Sequence, residues 1–123
     1  MKLSEYQEIA KKTAKKDYSS SNEEILTWAC GITGEAGDVA SCIKKTHAHK
    51  NDQKLGTREN IGDTLWYMAM ICNFYGWNMD EILEENVKKL AARFPQGFTI
   101  EAVARERIDW NEGKIKNEDE NKQ

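Results

Sequence analysis

Apolar residues recur at intervals of three and four over most of the chain, which is the spacing of amphipathic α-helices. The first such segment opens at Ser4, whose spacing to Gln7 predicts a capping box, and it ends before the serine-rich stretch KKDYSSSN. A short fifth helix, with Thr99 as its cap, is expected in FTIEAVARERIDW. Between them, three long helices are predicted, over about 23–46, 58–75 and 79–94. Ser21 or Asn22 is the expected cap of the first of these, and Asn78 with Glu81 is the expected capping pair of the last.

The third predicted helix carries two apolar stripes, one through Ile61 and Leu65 and the other through Trp66 and Met70. A helix that is apolar on both sides is buried on both sides, so we expect it at the centre of the fold. The polar stretch HAHKNDQKLGTR, which precedes it and contains Gly56, is predicted to be a loop. The pattern therefore indicates an all-α protein with a four-helix core bundle and a short C-terminal helix.

Composition narrows the possible functions. The chain has 123 residues, which predicts one domain, placed here at 1–110 and followed by a polar tail at 111–123. The net charge of -3 gives no basic excess for binding a nucleic-acid polymer. Without a long apolar run or a leader-like start, the protein is expected in the cytoplasm and away from membranes. The three cysteines lack CxxC spacing and are expected to be reduced, buried thiols.

The stretch GITGEAGDVASCIKK resembles a phosphate-binding glycine loop, but the helical stripe runs through it. At about 100° per residue, Glu35 and Asp38 lie roughly 60° apart on one edge of that helix. Each internal glycine costs up to about 1 kcal/mol relative to alanine, so close approach of a neighbour should offset the cost. We expect Gly31 to leave space beside the acids, and Gly34 and Gly37 to let a neighbouring element come near.

The third helix repeats the acidic arrangement, because Glu59 and Asp63 are four residues apart and Asn60 flanks them. Facing carboxylates repel one another unless a cation lies between them, and oxygen ligands suit Mg²⁺ or Mn²⁺. The opposing interpretation is that each acid pair is an ordinary solvated helix face. A di-iron site is excluded, since no histidine follows a glutamate by three residues.

Several other side chains are placed to bind a substrate. Lys45 shares the face of Asp38, Trp28 and Trp66 are placed to meet a ligand, and Tyr67 lies on the same side of the third helix as Trp66. On the fourth helix an amide and basic groups share one side, where phosphates would supply their partners. These residues are Asn86, Lys89 and Arg93, although the two cations also suit a plain helix C-terminus.

Three ordered blocks, LTWACGITGEAGDVASCIKK, ENIGDTLWYMAMI and MDEILEENVKKLAARFPQGF, closely resemble the MazG-like nucleotide pyrophosphohydrolases from Tyr6 to about Phe98. The resemblance implies Mg²⁺ binding by two acid pairs, which fall on Glu35 with Asp38 and on Asn60 with Asp63. Asp38 and Asn60 both stand where a glutamate is usual. Either the Asn60 amide or the neighbouring Glu59 is left to complete the site.

The resemblance also implies an activity, namely water attack on the α-phosphorus of a nucleoside triphosphate to give the monophosphate and pyrophosphate. Deoxynucleotides and noncanonical nucleotides are the substrates to expect, with Glu35, Asp38 and Asp63 as the catalytic acids. The aromatic residues Trp28, Trp66 and Tyr67 are then candidates for packing near the sugar or base. Two alternatives stay open: a related substrate such as phosphoribosyl-ATP, and a non-catalytic bundle that binds nucleotide or a partner protein. A homodimer or homotetramer is expected from the same resemblance.

Overall fold

The computed structural model describes residues 1–104, which are almost entirely helical and contain no β-strand. The all-α prediction is confirmed. Four long helices are followed by the beginning of a fifth at 100–104, while the rest of that predicted helix and the predicted tail at 111–123 lie outside the described residues. The long helices are α1 (Leu3–Thr13), α2 (Ser21–Ala48), α3 (Lys54–Tyr75) and α4 (Met79–Arg93).

The chain divides into two compact units, one of residues 1–82 and the other from Leu83 onward. In the first unit, α3 packs against both α1 and α2. Its buried residues Ala69, Met70 and Cys72 meet Ala10 of α1 and Trp28 of α2. The Met70 stripe of α3 is thus the core side, as an apolar stripe requires.

The other stripe of α3 is not covered by the described residues, so the prediction that both sides are buried is wrong for this part of the chain. Ile61 is 48% exposed and Met68 is 41% exposed. One helix can bury only the sides that face its neighbours, and α1 and α2 together cover one side of α3.

The start of α1 differs from the prediction. Its N-cap is Lys2, whose backbone N–H donates to the Glu5 carboxylate, while the Leu3 N–H donates to the carboxylate of Asp80 at the start of α4. Ser4 lies inside the first turn. The predicted Ser4–Gln7 capping box is therefore wrong, because the carboxylates of Glu5 and Asp80 accept the first N–H groups of the helix. The Gln7 side chain is buried and bonds elsewhere.

Gln7 joins α1 to the turn between α3 and α4. Its side chain is 5% exposed, its Nε2 donates to Asn73 Oδ1 at 3.1 Å and to the Trp77 carbonyl at 2.9 Å, and its Oε1 accepts the Met79 N–H at 2.8 Å. The turn itself begins at Gly76, which adopts the left-handed conformation (φ 71°) that ends α3. A buried amide with all these partners fixes where α1 sits on α3.

The α2–α3 connection is shorter than predicted, because α2 runs to Ala48 and α3 already begins at Lys54. Thr46 Oγ1 accepts the Gln53 N–H at 2.8 Å, and Asp52 accepts the Lys54 N–H at 3.1 Å. These side chains accept N–H groups at the start of α3, where the apolar pattern gives no signal. At the other end of α2, the cap is Ser20, one residue before the predicted position.

Several predicted ends are confirmed. The Asn78 side chain accepts the Asp80 N–H at the start of α4, although the predicted contribution of Glu81 stays a prediction. In the second unit, α4 ends at Arg93 and a turn follows, in which Gly97 has φ 84°. Thr99 Oγ1 accepts the Ala102 N–H at 3.0 Å, so Thr99 caps the fifth helix as predicted.

Candidate functional site

The predicted acids lie along the contact between α2 and α3, and we call Glu35, Asp38, Glu59 and Asp63 the acidic cluster. Burial raises the pKa of the Glu35 carboxyl above its ordinary value, and the negative charges of Asp63, Asp38 and Glu59 raise it further. Two of those charges come from the neighbouring helix. The fold therefore brings the two acid pairs, which are more than 20 residues apart in sequence, into one electrostatic field.

The acidic cluster is open to solvent. Glu35 is half-buried, whereas Asp38, Glu59 and Asp63 are exposed. Among residues 1–104, no three Asp, Glu, His or Cys side chains come together as a formed metal centre. The carboxylates share a field but do not converge on one point, which is how like charges settle when each can turn towards water.

Asn60 lies half-buried on α3 beside the acidic cluster, and its amide is oriented by α2. Its Nδ2 donates to the Sγ of Cys42 at 3.6 Å. The thiol itself lies close to α3, because a Cβ added at Gly56 would be 3.1 Å from that sulfur. The other two thiols differ: Cys72 is buried and Cys30 is exposed, so the prediction of burial fails for Cys30.

The glycines of α2 have different roles from those predicted. A Cβ at Gly31 would overlap the ring of Tyr67, so this glycine admits a neighbouring aromatic side chain from α3. Gly34 and Gly37 have no described atom within 4 Å of where a Cβ would lie. Close approach of α3 thus occurs at Gly31, and the expectation of a near neighbour at Gly34 and Gly37 is wrong within the described chain.

Tyr67 belongs to an aromatic cluster with Trp28 and Trp66, the three side chains predicted to pack near a sugar or base. Trp28 is 3% exposed and meets Trp66 edge-on with the ring centroids 5.4 Å apart. Trp66 meets Tyr67 edge-on at 5.0 Å and donates its indole N–H to Thr13 at 2.8 Å. The cluster therefore forms part of the packing between α1, α2 and α3.

Trp28 also borders a groove of about 610 Å³ between the end of α1 and the start of α2. Lys11, Lys15 and Lys16 line the same groove, together with Phe74. The structure thus leaves Trp28 next to open space, but contact between the aromatic cluster and a substrate stays a prediction.

The predicted phosphate-binding side chains lie on two helices. Lys45 is exposed on α2, two turns beyond Asp38 on the same face. Asn86, Lys89 and Arg93 lie on the part of α4 that belongs to the second unit, at a spacing that puts them on one side of that helix. Phosphate binding by these four side chains stays a prediction.

Two residues near the acids were not singled out by the sequence. The contact of Cys42 with Asn60 depends on the register between two helices. Burial and the charge of Asp63 together raise the pKa of the Tyr6 hydroxyl on α1. Helical spacing alone gives no signal for either relationship, since both join separate helices.

The exposed stripe of α3 forms one wall of an apolar groove of about 300 Å³ against α2. Among residues 1–104, no Asp, Glu, Lys or Arg side chain lines it. We call this surface the apolar groove; its lining residues are Ala36, Val39, Ile61, Thr64, Leu65 and Met68.

No helix in the described part of the chain is long and apolar enough to cross a membrane. The family model described as the MazG nucleotide pyrophosphohydrolase domain matches residues 23–98, which is more than half of the chain and includes the whole acidic cluster. The chain is also similar to the Gene 37 protein of Mycobacterium phage L5, with 31% identity over 74 residues. This match covers 54% of the chain and 63% of the phage protein, so the chain spans less than two thirds of that relative's length. No solved structure matches the chain.

Proposed function

Because the chain belongs to the MazG nucleotide pyrophosphohydrolase family, we propose that it hydrolyses nucleoside triphosphates to the monophosphate and pyrophosphate, with Mg²⁺ or Mn²⁺ as cofactor. Deoxynucleoside and noncanonical nucleoside triphosphates in the cytoplasm are the proposed substrates. The observation that carries the proposal is the electrostatic coupling of Glu35 to Asp38, Glu59 and Asp63 across two helices.

The donor set suits a hard divalent cation. Every charged group of the acidic cluster is a carboxylate, and Mg²⁺ and Mn²⁺ prefer oxygen ligands while keeping several waters. Glu35, Asp38 and Asp63 would hold the ion, with the Asn60 oxygen or Glu59 as the further ligand. When bound, the ion would neutralise charge on the substrate phosphates and help pyrophosphate to leave.

The side chains of the chain itself have separate tasks in the proposed reaction. A water oxygen attacks the α-phosphorus, the bond from that phosphorus to the bridging oxygen breaks, and pyrophosphate departs. The Glu35 carboxylate takes the proton from the water as a general base. Lys45 binds phosphate oxygens in this proposal, and the aromatic cluster of Trp28, Trp66 and Tyr67 orients the nucleoside.

The test is a panel of nucleoside and deoxynucleoside triphosphates, incubated with the purified protein in Mg²⁺, in Mn²⁺ or in EDTA, with the products resolved by ion exchange. Monophosphate plus pyrophosphate is expected, and EDTA or Asp63→Ala should abolish it. Asp17→Ala, which removes an exposed aspartate outside the acidic cluster, should leave turnover unchanged. No turnover of any nucleotide with either metal would refute the proposed activity.

Asn60 favours a second candidate, because it replaces a charged ligand by a neutral one and so weakens the metal site. On this interpretation the protein is a non-catalytic bundle that binds nucleotide or a partner protein. Nucleotide binding in equilibrium dialysis without any product would support it. Phosphoribosyl-ATP belongs in the same panel, since its preferential hydrolysis would assign a related pyrophosphohydrolase activity.

We also propose that the protein is a homodimer, or a homotetramer built from such dimers, and that a second copy covers the apolar groove. An uncharged groove between two helices, with Ile61 and Met68 each more than two fifths exposed, is the type of surface that self-association buries. The α2–α3 pair can meet the same pair of a second copy about a two-fold axis. This is also the assembly that the resemblance implies.

Light scattering after size-exclusion chromatography measures the oligomeric state directly. Leu65→Glu places a charge in the apolar groove and should shift the protein to the monomer, since a buried unpaired charge is costly. Leu55→Glu is the control, because Leu55 is 80% exposed at the start of α3 and does not line the groove. A monomeric wild type, or equal assembly of both variants, would contradict the proposed interface.

A further inference from the structure

The contact between Cys42 and Asn60 joins the two helices that carry the acidic cluster. Cys42 lies one turn after Asp38 on α2, and Asn60 lies three residues before Asp63 on α3. The hydrogen bond from Asn60 Nδ2 to Cys42 Sγ, at 3.6 Å, therefore links the acid-bearing turn of one helix to that of the other.

The thiol is held in position from both sides. Gly56 of α3 passes so close that a Cβ there would be 3.1 Å from Sγ, and the amide of Asn60 lies against the same sulfur. Cys42 and Asn60 are both half-buried. Among residues 1–104 no other side chain or backbone group hydrogen-bonds the Asn60 amide. Cys42 is thus the group in the described chain that sets the orientation of this amide.

The orientation matters because a primary amide carries two donors on its nitrogen and an acceptor on its oxygen, on opposite sides of the group. Glu59 directly precedes Asn60 and Asp63 follows it by three residues on the same helix. Carboxylates accept hydrogen bonds, so a free amide could turn its nitrogen towards an acid. A thiol sulfur is a weak, uncharged acceptor that can hold the nitrogen without adding charge. With the nitrogen on Cys42, the oxygen faces the other way.

We propose that Cys42 is a positioning residue, which keeps the carbonyl oxygen of Asn60 turned towards Glu35, Asp38 and Asp63 so that this oxygen completes the cation site. The inference rests on the proposed metal-dependent function. It chooses the Asn60 amide over Glu59 as the further ligand. Groups that orient a metal ligand without touching the metal typically change metal affinity by about 10- to 100-fold when they are removed.

The experiment measures binding of Mn²⁺ alone, with no nucleotide, by the loss of the free-ion signal in electron paramagnetic resonance. Cys42→Ala should weaken Mn²⁺ binding by about tenfold. Cys42→Ser, which keeps an acceptor, should bind more tightly than Cys42→Ala. Cys30→Ala is the matched control, since it removes an exposed thiol from the same helix, and it should bind like the wild type.

A double-mutant cycle separates positioning from a general structural effect. In the Asn60→Ala background, Cys42→Ala should cause almost no further loss, because its effect passes through the amide. Circular dichroism checks that each variant folds, and Cys42→Val, which removes the acceptor while filling the space beside Gly56, replaces Cys42→Ala if the latter unfolds.

The outcomes distinguish failure of the proposed metal-dependent function from failure of the positioning role of Cys42. A wild type that binds no Mn²⁺ refutes the metal-dependent function and this inference with it. A wild type that binds Mn²⁺, with Cys42→Ala and Cys42→Val equal to it, refutes the inference alone. A tenfold loss that persists in the Asn60→Ala background also overturns it, because Cys42 would then act without Asn60.

Discussion

Replacing Gly31 by alanine should destabilise the protein, although glycine is a poor helix former. In a helix interior, alanine is favoured over glycine by up to about 1 kcal/mol. At Gly31 the added methyl group would overlap the Tyr67 ring, which is itself packed edge-on against Trp66 and tilted against Trp28. Overpacking of this kind typically costs about 1–3 kcal/mol.

Gly34→Ala is the matched control, since Gly34 lies on the same helix and has no described atom within 4 Å of the new methyl group. It should gain the full propensity benefit of about 1 kcal/mol. The free energies of unfolding of the two variants should therefore differ by about 1–3 kcal/mol, which is the steric cost alone. Urea denaturation at one fixed protein concentration, followed by circular dichroism, measures this difference.

Repeating the Gly31→Ala substitution in a Tyr67→Ala variant tests whether the overlap with the Tyr67 ring causes the loss of stability. Tyr67→Ala is itself destabilising because it leaves a cavity, but it removes the ring that opposes the methyl group. In that background Gly31→Ala should become stabilising. If Gly31→Ala and Gly34→Ala stabilise the wild type equally, or if the sign does not change when Tyr67 is absent, the steric reasoning is refuted.

Four further outcomes are expected. Gln7→Leu should lower the free energy of unfolding by roughly 2–4 kcal/mol in urea denaturation, because it leaves buried groups such as the Met79 N–H without a hydrogen-bond partner. A loss under about 1 kcal/mol would contradict the role of Gln7 in joining α1 to the α3–α4 turn. Asp80→Asn should destabilise the protein at neutral pH, because hydrogen bonds hold the pKa of Asp80 below its ordinary value. The stabilisation by the Asp80 carboxylate is therefore present above the ordinary aspartate pKa and is lost as the pH falls through the lowered pKa of the folded protein. Thermal scans in which the variant shows the same loss of stability in acid as at neutral pH would refute this. Glu35→Gln should abolish turnover, yet it should raise the melting temperature at neutral pH without divalent metal. The raised pKa of Glu35 means that its charge opposes folding until the pH falls through that pKa. An unchanged or lower melting temperature would count against repulsion between Glu35 and the other acids. Asn60→Ala should weaken Mn²⁺ binding more than Glu59→Ala, and the reverse order would make Glu59 the ligand.

The sequence alone determined the features that depend on near neighbours in the chain. Apolar spacing predicted four long helices and their order, and Thr99 and Asn78 were placed correctly as caps because a cap acts within three or four residues of itself. The same spacing put Glu35 with Asp38 on one helix edge, and Asp63 with Asn60 on another. The three blocks of residues were enough to identify the family, which the match over residues 23–98 confirms.

Only the tertiary structure decided which of those helix faces meet, since contact between helices depends on register and side-chain volume that no local pattern encodes. It assigned the close approach to Gly31 and not to Gly34 or Gly37, because the Tyr67 ring lies there. It left one apolar stripe of α3 uncovered by the described residues, which periodicity had predicted to be buried. It also put the thiol of Cys42 against Asn60, a contact between two helices that spacing along one helix cannot show.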